Sequence, residues 1–139
     1  MNKFEYQKIV QSLPGLTEDG FNDTRSGAYE AKRKKFIHSA VYLQQVLDAR
    51  NYLAAFQKSV LVSSWQREHC RPSKLKDLIE WHSQRPVSIG AIIVAAMHLD
   101  FKLVRDNQQS EPSLNIFARQ LEAEFRDFRV RQIIKQAVG

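Results

Sequence analysis

Few residues in this chain have both the type and the spacing to do chemistry. His69 and Cys70 stand side by side, and a thiolate beside an imidazole suggests either a nucleophile or half of a metal site. The metal reading needs further ligands at short, regular intervals. Cys70 is the single cysteine, and His38, His69, His82 and His98 are scattered, so no such set assembles. The nucleophile reading needs a base and an oxyanion site, and the sequence displays neither. Carboxylate pairs do no better, because Glu122 and Glu124 are next-but-one neighbours on a predicted helix and point apart. The five glycines are dispersed and form no phosphate-cradling loop. The expectation is a protein that is not an enzyme and uses no metal or cofactor.

Basic residues give the richer signal. The run "KRKK", Lys32, Arg33, Lys34 and Lys35, sets four cations across one turn of a predicted helix, beside Arg25 and before Phe36. Cations this close repel one another, and a polyanion relieves them as it releases its own counterions. The plainer alternative is a solvated helix start. A second stretch, "WQREHCRPSKLK", gathers Trp65, Arg67, His69, Arg71, Lys74 and Lys76. An exposed aromatic among cations suits single-stranded nucleic acid, whose bases stack on rings while its phosphates meet the charges. Trp65 and Trp81 fit equally as core or interface anchors. With 21 Lys and Arg against 15 Asp and Glu, the net charge is +6, which favours polyanionic partners.

A scaffold must position these residues, and 139 residues is the length of one domain. Asn2 caps a short opening helix with Glu5 as its capping-box partner, and Pro14-Gly15 ends it. Residues 15–27 consist of turn-forming types and are expected as a surface loop. From 28 to 71 there is no Gly or Pro, and two overlapping apolar stripes (Phe36, Ala40, Leu43, Leu47 and Tyr42, Val46, Ala49, Leu53, Phe56, Val60) predict a long central helical segment. A helix of that length is unusual in a small domain, so a break between Gln57 and Ser64 is expected. Ser73 is the expected cap of the next helix. Ser88 caps an apolar one over 89–99. "FKLVRD" and "SLNIF", on either side of the polar turn "NQQSEP", predict a small hairpin. Residues 118–138 read as a final helix with Phe117, Leu121, Phe125 and Phe128 along one side and Arg119, Arg126 and Arg129 opposite.

The order helix, turn, helix, hairpin over residues 73–118 is that of a winged helix-turn-helix, in which the second helix enters the major groove. Here that helix is "IGAIIVAAMHL", which offers only His98 near its end to reach a base. A helix apolar all round is a buried helix. It is therefore expected as the core, with Gly90 and the alanines allowing close helix approach. The hairpin keeps a possible role as a wing whose Lys102 and Arg105 meet phosphate. The alternative is an edge protected by charge.

Leu75, Lys76, Glu80, Ser88, Gly90, Ala95, Ala96, Phe101 and Asn115 form a pattern that resembles a family of small uncharacterised proteins of bacterial phages and plasmids. Asp77, Ile89 and Asp100 depart from it, and it spans about a third of the chain. The resemblance implies a mobile-element origin and supplies no catalytic residue.

The longest apolar run, residues 89–97, is about half of the ~20 residues a membrane span needs. "MNKFEYQKIV" has no signal-peptide core, and a lone cysteine suits a reducing compartment, so a cytoplasmic protein with no membrane partner is expected. The sequence as a whole predicts a mainly α, compact helical domain with a small β-hairpin. The expected function is non-catalytic contact with the phosphate backbone of DNA or RNA, as an accessory or regulatory factor of a phage or plasmid, through Lys32, Arg33, Lys34, Lys35, Arg71, Lys74, Lys76, Lys102 and Arg105. The rival is a protein-binding module, such as a phage-encoded inhibitor of the anti-defence type or a docking subunit of a larger host complex, anchored by Trp65, Trp81, Arg119, Arg126 and Arg129.

Overall fold

Asn2 opens the first helix, α1 (Lys3–Gln11), with the expected reciprocal cap: its side chain accepts from the Glu5 N–H at 2.8 Å, and its own N–H donates to Glu5 Oε1. The structure, a computed structural model, describes residues 1–25, 27–105 and 111–138. Among these it is mainly helical, with two small antiparallel hairpins.

Residues 15–27, expected as a surface loop, are in part a buried hairpin. β1 (Leu16–Thr17) pairs with β2 (Gly20–Phe21), and Leu16 and Thr17 are fully buried. Gly20 adopts φ +100°, which the turn requires. The polar sequence is buried because its backbone docks on the apolar helix α6 (Ile89–His98): the Gly90 N–H donates to the Glu18 carbonyl at 2.9 Å. A Cβ on Gly90 would lie 2.1 Å from the Thr17 carbonyl oxygen, so only glycine fits there.

The segment over 28–71 breaks twice. α2 (Tyr29–His38) ends at Ser39, which is extended and accepts from the Val41 N–H to start α3 (Ala40–Leu53). The second break spans residues 54–63 and begins earlier than expected. It ends at Ser63, whose capping box with Gln66 starts α4 (Ser64–His69). The bend at Ser39 lets Phe36 pack against both Tyr6 and Tyr42, at ring separations of 5.7 and 5.2 Å.

Arg71, not Ser73, occupies the N-cap position of α5 (Pro72–Ser83), with no side-chain capping bond. Pro72 takes the first helical position, where its missing N–H costs nothing, and Ser73 instead donates through N–H and Oγ to Glu111. Ser88 caps α6 as expected, and residues 90–96 of that helix are buried against α3, α5 and α1. This is the centre of the core. β3 (Leu103–Val104) and β4 (Ser113–Leu114) form the expected second hairpin; residues 107–110 of its "NQQSEP" turn lie outside the described residues. The last helix, α7 (Ala118–Val138), packs on α5 and buries only Leu121 fully. Among the described residues no helix is long and apolar enough to cross a membrane.

Candidate nucleic-acid interface

Trp65 and His69 are four residues apart on α4, and so they lie on one face of that short helix. Glu122, Phe125, Arg126 and Arg129 follow the 3-4 spacing of one face of α7. Together with Lys74 from the first turn of α5, these residues line a groove of about 380 Å³. The rings of Trp65 and His69 lie 4.6 Å apart, 32° from parallel, and the Phe125 ring meets His69 edge-on at 6.5 Å. The imidazole thus sits between an indole and a phenyl ring. Three cations, Lys74, Arg126 and Arg129, border the aromatics against one carboxylate, Glu122.

Residues drawn from two separate expectations meet in this groove. Lys74 belonged to the nucleic-acid set, and Trp65, Arg126 and Arg129 to the protein-binding set. Arg126 and Arg129 do not lie opposite Phe125, as the helical stripe suggested; they share the groove with it. Phe125 is only half-buried, because α7 rests along the surface of the domain instead of sinking into it. Sequence reasoning placed Phe125 on the apolar side of the last helix and weighed Glu122 only as half of a carboxylate pair. Their spacing from Arg126 and Arg129 was the available signal.

The remaining basic residues are placed elsewhere. Arg71 precedes α5 at its N-cap position and donates from Nε to the Arg67 carbonyl at 2.8 Å, while Lys76 is half-buried outside the groove. Arg119 is exposed one turn before the groove residues of α7. Trp81 lies apart from Trp65: its ring meets Phe128 edge-on at 5.9 Å, with the Lys135 ammonium 5.5 Å above it.

Within "KRKK", the roles divide. Arg33 donates to the carbonyls of Val10, Leu13 and Leu16 at 2.9–3.1 Å, and so ties down the end of α1. Lys32 pairs with Asp19 at 3.0 Å, and Lys34 and Lys35 are exposed. On the second hairpin, Lys102 is exposed, whereas the Arg105 guanidinium lies 3.8 Å from the Phe21 ring centre.

Cys70 is buried, and burial pushes its thiol up to about 12, against a smaller opposing effect of a backbone hydrogen bond at Ile116. Burial of this kind keeps the thiol protonated at neutral pH. Among the described residues no group of three His, Cys, Asp or Glu side chains is placed to hold a metal ion. Compared with known proteins, no family model, curated protein or solved structure matches this chain.

Proposed function

We propose that this protein binds single-stranded nucleic acid, without catalysis, in the groove between α4 and α7. The observation that supports this reading is the Trp65–His69–Phe125 aromatic set bordered by Lys74, Arg126 and Arg129. Unpaired bases have two free faces and stack on such rings, at about 1–3 kcal/mol per base, while the cations meet the phosphates. A duplex hides those faces. Duplex readout would also need a helix in the major groove, and α6, the helix in the corresponding position, is buried from 90 to 96. Binding of this kind tolerates sequence and falls with salt, which suits an accessory or regulatory factor. The test is titration of a labelled oligonucleotide, single-stranded or duplex, with wild type and Trp65→Ala.

A protein-binding reading has its own observation. Trp81, Ile134 and Val138 line an apolar groove with Arg131 and Lys135 at its edge. Aromatic and arginine side chains of this kind are common anchors of protein interfaces. Trp81 is not among the residues that line the α4–α7 groove, so substituting it separates the two readings experimentally.

A further inference from the structure

Away from the α4–α7 groove, the first hairpin and the end of β3 border an open cleft of about 530 Å³ lined by Phe21, Asn22, Asp23, Thr24, Arg25 and Arg105 among others. That is more room than a bare phosphate needs and lies within the range of small-molecule sites. Its charges are unevenly matched. Asp23 is engaged by Arg25, with Nε–Oδ1 at 3.2 Å and Nη2–Oδ2 at 3.4 Å. Asn22 is also committed, donating from Nδ2 to Thr17 Oγ1 and to the Gly20 carbonyl.

Arg105 is different. It stacks on Phe21, it is half-buried, and its Nε is shielded from solvent with no hydrogen-bond partner. Among the described residues no carboxylate answers its charge. A shielded, unsatisfied donor is costly and rare in folded proteins. A guanidinium held 3.8 Å over an aromatic ring is restrained in place, which suits bidentate contact with a phosphate more than a solvated lysine does.

We infer that this cleft is a phosphate-binding site, in which the Arg105 guanidinium holds a phosphate dianion, free or borne on a mononucleotide, with the Thr24 hydroxyl as a further donor. Among the described residues Arg25 balances Asp23, and no carboxylate pairs with Arg105. The site is separate from the groove and stands or falls independently of it.

NMR titration at constant ionic strength tests this, with chloride exchanged for inorganic phosphate, adenosine 5′-monophosphate or uncharged adenosine. The backbone amides of Thr24 and Arg25 and the Arg105 Nε–H report on the cleft. Phosphate and the monophosphate should shift these resonances, and adenosine should not. Arg105→Gln should weaken both anions about tenfold or more in a protein whose spectrum remains folded, with Arg105→Lys falling between. Trp65→Ala should leave them unaffected. Tighter binding of the monophosphate assigns the ligand as a nucleotide, and equal binding assigns it as free phosphate. The inference is overturned if neither anion moves these resonances at millimolar concentration, or if folded Arg105→Gln binds as wild type does.

Discussion

The Trp65 indole and the His69 imidazole stack 4.6 Å apart, 32° from parallel, at the mouth of a groove whose other wall is α7. The rings are close enough to touch although tilted, and unpaired bases stack on exposed rings of this kind. Trp65 remains half-exposed, so its packing with His69 does not exhaust it.

Trp65→Ala should therefore reduce affinity for a single strand by about 1–3 kcal/mol, the usual value of one base–aromatic stack. Circular dichroism should show the helices retained. An unchanged Kd would remove Trp65 from the interface.

The cations of the groove should appear in the salt dependence. For single strands the log–log slope is about −0.7 for each phosphate neutralised, so Arg126→Gln with Arg129→Gln should flatten it by about 1.4. Both side chains are exposed, and stability should move by less than about 0.5 kcal/mol each. The measurement is Kd across a salt series.

The two halves of "KRKK" should respond differently. Arg33→Gln removes donors to three carbonyls that run from the end of α1 to β1 and should destabilise the fold by about 1–3 kcal/mol in denaturant titration. Lys34→Glu with Lys35→Glu should cost little, since both side chains are exposed. Equal effects would mean that the Arg33 contacts contribute nothing.

In the core, Ile92→Ala should cost about 2–5 kcal/mol through lost transfer energy and a cavity. Gly90→Ala should be comparably disruptive, because its methyl would meet the Thr17 backbone and separate α6 from the first hairpin. Denaturant midpoints at constant m-value would read both.

Features written in local sequence were legible, and those written in packing were not. Asn2 with Glu5, Ser88 before an apolar run, and the strands flanking a polar turn each announce themselves within a few residues. Ser39 breaks a helical pattern without Gly or Pro, and its reason, Phe36 turning onto Tyr6 and Tyr42, involves residues up to thirty positions away. The hairpin at 16–21 is buried only because Gly90, far along the chain, leaves room for it. The groove follows the same rule. Its cations and its tryptophan could be named from sequence, but their meeting depends on how α7 lies across α4 and α5, and no local pattern encodes that.

Cys70 gives a pH prediction. An unfolded thiol titrates near 8.5, while burial holds the folded one up to about 12. Its contribution to stability is thus complete below about pH 8.5 and is lost as pH rises toward the folded value. Thiol reagents should react slowly with the native protein at neutral pH and promptly on unfolding. Fast labelling of the native state would contradict the burial.

The most direct measurement is the Trp fluorescence and anisotropy of wild type and Trp65→Ala with a labelled single strand and the matching duplex at low salt. The single strand should bind more tightly than the duplex and quench the tryptophan emission. Trp65→Ala should lose most of that preference while keeping weak, salt-sensitive contact with both. No retention of a single strand at low salt, or duplex and single strand bound alike and indifferent to Trp65, would contradict the assignment of this groove.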